Sequence, residues 1–330
     1  MTTSGIPAEA VDLLRRTLGE GWRADRLSGD ASVRAYYRVA TDDGRSFILA
    51  WYPEEVRPQL GRFMSAYRAL APHAAVPLVV GTSESAVLQV DVGERTAFDE
   101  LQEHPESGAG LYRRAVDLLA GFQKARSDLN PPFSAEFFAN ELAMAREYYI
   151  GRLTGGTAGS ELDGYLQRLA NKIAQHPYVL CHRDYHGQNI HIINDTLFVI
   201  DYQDLRNGPD TYDLASLLRD RGVADVLGEP LELELLEHYA ADRGDDPARM
   251  RTRYFETLLQ RSIKILGTFA RLPIERGRMH YLDFIPATLR SVARCSAELP
   301  EFAPLAEFFP AGFSLDRARR RATELHEGLS

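Results

Sequence analysis

Residues 181–201 read CHRDYHGQNIHIINDTLFVID, and the fold and the chemistry of the chain both turn on this stretch. His182, Arg183 and Asp184 are followed by four residues and then Asn189, and Asp201 closes the segment. The apolar runs Ile190 to Ile193 and Leu197 to Ile200 flank the turn formers Asn194-Asp195-Thr196, so together they read as a β-hairpin. A hairpin returns the chain to its starting edge. Position 201 is therefore expected beside position 189, although twelve residues separate them.

Aspartate three places into the motif, asparagine five residues on and a second aspartate after a strand pair is the catalytic-loop spacing of phosphoryl transfer. That reaction asks for an acceptor hydroxyl held in line with the γ-phosphate and for cations on the phosphate oxygens, with little covalent work by the protein. Asp184 suits the hydroxyl, as proton acceptor and orienting group. Asn189, through its amide oxygen, and Asp201, through its carboxylate, are hard oxygen ligands of the kind Mg²⁺ prefers. Either aspartate alone would be explained by capping a turn or ending a strand, but the three together between paired strands are not. A rival reading gathers His182, Asp184, His186 and His191 as a zinc site for a hydrolase; it leaves Asn189 and Asp201 without a role.

Outward from this island the chain changes texture. The first ninety residues alternate as Trp22 to Leu27, Tyr36 to Ala40 and Ser46 to Tyr52, with Asp43-Gly44 as the turn before the third run. A helical pattern from Glu54 to Leu70 and two short apolar runs, Val76 to Gly81 and Ala86 to Val92, follow, giving three strands, one helix and two strands. Beyond Gly93 long helical patterns dominate, for example Leu111 to Arg126 and Phe137 to Leu153, and they resume from Thr211 onward. A chain of 330 residues exceeds what one core normally fills, roughly 250 to 300 residues, and suits two lobes.

There are 38 Lys plus Arg against 47 Asp plus Glu, a net charge of −9. With no basic run, this argues against nucleic acid or anionic membrane as a general partner. Two cysteines, Cys181 and Cys295, make neither a metal pattern nor a disulfide framework, and MTTSGIPAEA lacks the parts of a signal peptide, so a reducing cytoplasm is expected. No run approaches the roughly 20 apolar residues of a membrane helix.

The catalytic stretch and the order of elements resemble the aminoglycoside phosphotransferase and choline kinase group, whose fold is protein-kinase-like. GDASVRAYYRV (29–39), LQVDVGERT (88–96), CHRDYHGQNI (181–190), VIDYQDLRNGPDTYDLASLLRD (199–220) and KILGTFARL (264–272) are similar to bacterial kinases that phosphorylate the anomeric hydroxyl of N-acetylmuramate and N-acetylglucosamine in cell-wall recycling. The resemblance implies an α+β, two-lobed protein-kinase-like fold. It places a nucleotide-covering lobe of antiparallel sheet plus helix at 1–88, a hinge at 89–93 and a mostly helical, substrate-binding lobe at 94–330. It also implies an ATP- and Mg²⁺-dependent kinase of a small sugar giving a sugar 1-phosphate. By the same resemblance Gly29, Ala31 and Ser32 cover the phosphates, the chain near Gln89 and Asp91 pairs with adenine, and Asp213 braces the catalytic loop.

One departure stands out. Protein kinases place a lysine on the third strand against the α- and β-phosphates, whereas the only lysines here are Lys124, Lys172 and Lys264, and the third strand reads FILAWY. Arg34 and Arg38 on the second strand are the candidate replacements, arginine matching phosphate through its fork of donors. Asp204 and Arg206, just past Asp201, are candidate sugar contacts, and Tyr148 is a candidate stacking partner for the ring. Other readings are a kinase of an aminoglycoside, choline or homoserine, for which the acidic stretch Glu229 to Glu237 could supply carboxylates, and a nucleotide-binding regulatory protein without turnover. The sequence is silent on oligomeric state.

Overall fold

The structure, a computed structural model, describes residues 6–27, 33–157, 159–310 and 312–329. Among the described residues the N-terminal part is an antiparallel sheet flanked by helix and the C-terminal part is mostly helical, the α+β architecture expected from the order of elements. Helix α1 (Ala8–Leu18) precedes strands β1 (Trp22–Arg26), β2 (Ala35–Thr41) and β3 (Ser46–Trp51). Helix α2 (Arg57–Leu70) and strands β4 (Val79–Thr82) and β5 (Ala86–Val90) complete the sheet, whose spatial order is β1-β2-β3-β5-β4. The sequence reading missed α1. Its signal was present, because Ala10, Val11, Leu13 and Leu14 recur at helical spacing and are buried against the sheet.

Alternation decides what each face of the sheet does. Ala35, Tyr37 and Val39 of β2 and Phe47 and Leu49 of β3 point into the core shared with α1. The register Tyr36↔Ala50 and Arg38↔Ile48 puts the intervening residues on the opposite face, together with Gln89, which pairs with Ile48.

Four helices follow: α3 (Ala97–Glu103), α4 (Gly108–Phe122), α5 (Ala135–Met144) and α6 (Ser160–Ile173). The helical pattern drawn from Phe137 to Leu153 is in fact α5 running into a π-helix over Ala145–Leu153, a widening that side-chain periodicity over nine residues does not distinguish from a regular helix. Strand β6 (Tyr178–Cys181) leads into the catalytic stretch, the hairpin β7 (Ile190–Ile193) and β8 (Thr196–Val199) follows, and β9 (Arg206–Pro209) returns to pair with β6. Asn194 and Asp195 both take positive φ, 46° and 60°, as a two-residue hairpin turn of the primed type requires. The rest is helical: α7 (Tyr212–Leu218), α8 (Ala224–Asp242), α9 (Pro247–Arg276), α10 (Ile285–Glu298), α11 (Leu305–Phe308) and α12 (Leu315–Glu327). Among the described residues, no helix is long and apolar enough to cross a membrane.

The chain packs as two compact units. The first comprises Met1–Asn130, His182–Arg206 and Ser216–Leu235, so the catalytic stretch shares a unit with the N-terminal sheet. The second comprises Pro131–Cys181, Asn207–Ala215 and Leu236–Ser330.

Candidate active site

The loop after β6 is held from within. His182 is buried, its ring against Phe122 and edge-on to Tyr185. Its Nδ1 accepts the Asp184 N–H at 3.3 Å, so the proton resides on Nε2, which donates to the Ile200 carbonyl at 2.8 Å. One imidazole thus ties the loop to the chain between β8 and Asp201. Tyr185 points inward and donates to the Ala115 carbonyl at 2.8 Å. With both neighbours anchored, the Asp184 side chain is left exposed. Arg183 takes φ 83° to make the reversal, a conformation costly for a residue with a β-carbon and kept only where the surroundings enforce it. At Gly187 a β-carbon would lie 3.0 Å from the Phe98 nitrogen and 3.0 Å from the Tyr112 hydroxyl, so any side chain there would force α3 or the Tyr112 ring to give by a few tenths of an ångström.

Asn189 sits in that turn and donates through Nδ2 to the Asp184 carbonyl at 2.9 Å. Its amide nitrogen therefore faces the loop, and Oδ1 is the end that can serve a ligand. The hairpin register, Ile190↔Val199, and the Ile200 N–H donating to the Asn189 carbonyl at 3.0 Å bring the chain at 201 back beside 189. Asp201 takes φ 60° and is exposed, and Gln203 Nε2 donates to its Oδ1 at 2.8 Å. Gln203 was quoted in the sequence only as part of a motif; here it orients a carboxylate.

The donor set fits magnesium. Mg²⁺ is usually held by one or two carboxylates with substrate phosphates and waters rather than by an all-protein cage, and a carboxylate beside an amide oxygen supplies that kind of hard, sparse site. The zinc alternative is not assembled: among the described residues no three His, Cys, Asp or Glu side chains gather to hold a metal. Two of its members have other partners, His182 at Ile200 and His191, whose Nδ1 donates to the Gly93 carbonyl at 2.7 Å.

The candidate cation Arg34 stands immediately before β2. The Arg34 guanidinium lies near the rings of Tyr36, at 5.6 Å, and Tyr52, at 5.9 Å. Burial pulls the Arg34 pKa down, but Tyr36, Tyr52 and the Asp201 carboxylate more than compensate, and the net shift is upward. Burial, only partly offset by Arg34, pushes Tyr36 up to about 12, so it remains a hydrogen-bond donor at neutral pH. The sequence reading missed both tyrosines, although their phase along the strands marks the face they share. Opposite Tyr36 stands Ala50, small where a longer side chain would compete for the space.

Arg38 departs from the sequence reading. Its Nε donates to Asp91 Oδ2 at 2.8 Å and its Nη1 to Glu94, so the guanidinium is held at the far end of the strand by two carboxylates. Asp91 also accepts from Ser46 Oγ at 2.7 Å and from the Gly93 N–H at 2.9 Å, and its own N–H donates to the Ser46 carbonyl. Burial would raise the Asp91 pKa, yet Ser46, Gly93 and Arg38 together hold it below the usual carboxylate range. These contacts make Asp91 a brace for the strand exit. Gln89 lies on the sheet face away from α1 and donates to the Tyr202 hydroxyl at 3.5 Å. Gly29, Ala31 and Ser32 lie outside the described residues. Arg34→Ala is expected to raise the KM for ATP about tenfold or more, the scale of one charge-assisted contact to phosphate, and Arg38→Ala to lower thermal stability with that KM unchanged. Steady-state kinetics with melting curves on both variants checks the distinction; an unchanged KM in Arg34→Ala removes it from the nucleotide site.

On the acceptor side, Asp204 is exposed in the turn after Tyr202 and Arg206 is half-buried at the start of β9. Tyr148 belongs to the second unit, where its hydroxyl meets Glu275 and its ring lies under Arg152 at 4.7 Å. Its neighbour Tyr149 is core, stacked on Phe309 and Phe313.

Residues 23–253 match the model of the phosphotransferase enzyme family. The N-acetylmuramate/N-acetylglucosamine kinase of Pseudomonas aeruginosa is 28% identical over 85% of this chain and 86% of that protein. The kinases of the same name from Pseudomonas putida, covering 85% of each chain, and Neisseria meningitidis, covering 84% and 87%, are each 29% identical. An ADP-bound aminoglycoside phosphotransferase superposes with a TM-score of 0.57 at 15% identity, over 88% of this chain and 99% of that one. A choline/ethanolamine kinase family protein from Mesorhizobium loti gives 0.58 at 16% identity, over 94% and 98%. At these identities the solved structures establish the protein-kinase-like fold.

Proposed function

We propose that this chain, which belongs to the phosphotransferase enzyme family, is an ATP- and Mg²⁺-dependent kinase that phosphorylates the anomeric hydroxyl of N-acetylmuramate, N-acetylglucosamine or a closely related hexose. The observation that carries the reading is the convergence of Asp184, Asn189 and Asp201 at one edge of the β7–β8 hairpin, with the loop fixed by His182. The choice of sugar is supported by relatives of that name across most of the chain. The proposal takes 1–88 as the nucleotide-covering lobe, 89–93 as hinge and 94–330 as the substrate-binding lobe. It makes the protein cytoplasmic, with a role in reclaiming cell-wall sugars.

Asn189 and Asp201 would hold Mg²⁺, which when bound neutralises charge on the phosphate oxygens. Arg34, supported by Tyr36 and Tyr52, holds the phosphates from the sheet side. Asp184 accepts the hydrogen bond of the acceptor hydroxyl, orients its oxygen in line with the γ-phosphate and takes the proton as the new P–O bond forms, while the bond from the γ-phosphorus to the β,γ-bridging oxygen breaks and ADP leaves. An anomeric hydroxyl is more acidic than an ordinary alcohol, so an exposed carboxylate is base enough. Asp204 and Arg206 are the acceptor-side hydrogen-bonding groups. A site that pairs buried polar groups with sugar hydroxyls rejects analogues that lack them strongly, because its own groups are left unpaired.

The test is the linkage. With ATP and Mg²⁺, phosphorus NMR is expected to show a sugar 1-phosphate, and the 1-O-methyl glycoside is expected not to react. Turnover of the glycoside, or a 6-phosphate product, would falsify the anomeric assignment.

A further inference from the structure

The ion pair that protein kinases build between their third strand and the adjoining helix cannot form here: β3 carries no lysine, and α2 reads RPQLGRFMSAYRAL, without an acidic residue. Helix α2 nonetheless grips the segment after Asp201, and does so twice. Phe63 stacks on Tyr202, with ring centroids 5.3 Å apart and planes 26° from parallel. Tyr202 is 1% exposed, so the residue next to the exposed Asp201 is driven into the unit. Three residues further on, Asn130 Nδ2 donates to the Leu205 carbonyl at 2.7 Å, while Arg62 Nη2 donates to Asn130 Oδ1 at 2.8 Å. Neighbouring residues of one helix, Arg62 and Phe63, thus fix both ends of Tyr202–Leu205, the stretch that contains Gln203, the orienting donor to Asp201.

The geometry has a cost that calls for such fixing. Asp201 is held at φ 60°, and a non-glycine residue in that region persists only where its surroundings over-determine it. On one side the hairpin and His182 supply the constraint. On the other side the two clamps on α2 and the Gln89 contact to the Tyr202 hydroxyl contribute to it.

We propose that Arg62, Asn130 and the Phe63–Tyr202 stack are positioning residues for the Asp201 carboxylate, taking over the work of the absent strand-to-helix ion pair. The proposal rests on Asp201 being a metal ligand. A residue that orients a ligand from behind is worth about 10- to 100-fold in metal affinity or activity, and that is the size of effect to look for. Arg62 and Asn130 act in series, so their effects do not add.

Asn130→Leu keeps the γ-branched shape and removes both hydrogen bonds, and Arg62→Met breaks the relay at its outer end. The measurement is Mn²⁺ binding to the ADP complex by electron paramagnetic resonance, alongside the Mg²⁺ dependence of the rate. Melting curves without metal confirm that each variant is folded. Expected are a tenfold or greater weakening of Mn²⁺ binding in either variant, no further loss in the double variant, and an unchanged KM for the sugar. Tyr202→Leu should show the same defect, and Tyr202→Phe, which keeps the ring, should restore the metal response. Asp201→Asn is the control on the premise. If it abolishes Mn²⁺ binding while folded Asn130→Leu binds Mn²⁺ like the parent protein, the positioning role is wrong and the metal assignment stands. If Asp201→Asn itself binds Mn²⁺ normally, both fall together.

Discussion

Asp184→Asn is expected to lower kcat by about two to four orders of magnitude, the usual span for loss of a general base, with the KM for ATP nearly unchanged. The substitution preserves volume and one hydrogen bond and removes only the proton acceptor. The loop does not depend on this side chain for its shape. The Asp184 N–H is held by His182, its carbonyl by Asn189, and the side chain itself is exposed. A folded variant with a melting temperature near that of the parent is therefore expected, and the loss should lie in the chemical step. Single-turnover measurements at saturating ATP and sugar separate this from a defect in product release. A rate within tenfold of the parent would show that proton transfer is not assisted at this position, and that Asp184 at most orients the acceptor.

The second large effect is at the metal ligands. Asp201→Asn and Asn189→Ala are each expected to cut Mg²⁺-dependent turnover by about a thousandfold or more, since stabilising charge on the transferring phosphate is worth several kcal/mol and each 1.36 kcal/mol is tenfold in rate. Asparagine is the right replacement at 201. At φ 60° alanine would add a backbone penalty of roughly 1–2 kcal/mol that asparagine largely avoids, and a loss of stability would then be mistaken for a loss of ligand. Asn189→Ala also removes the hydrogen bond to the Asp184 carbonyl, so some of its effect should reach the catalytic loop. Comparing Mg²⁺ titrations of the two variants resolves this. A rightward shift alone marks a lost ligand, and a lowered plateau at saturating metal marks a displaced Asp184. Full activity in either folded variant removes that residue from the metal site.

Some of this was open to a reader of the sequence and some was not, and the division follows distance along the chain. The catalytic stretch was legible because its geometry is largely local: a strand, a tight turn and a two-residue hairpin with Asn194 and Asp195 at positive φ bring 189 and 201 together. The five strands around α2 were legible for the same reason, since alternation and turn chemistry act over a few residues. What failed were judgements about side chains whose partners lie far off. Arg38 and Arg34 look alike in the sequence, and only the fold puts Arg34 just before β2, Asp91, 53 residues away, beside Arg38 and Asp201 near Arg34. Arg62, Asn130 and Leu205, separated by 68 and 75 residues, carry no local pattern that marks them as a chain. Short-range sterics and hydrophobic phase are properties of the sequence itself and determined the elements and the loop that carries Asp184. Which charge meets which depends on contacts that exist only after the loops have closed, and that was decided by the tertiary structure alone.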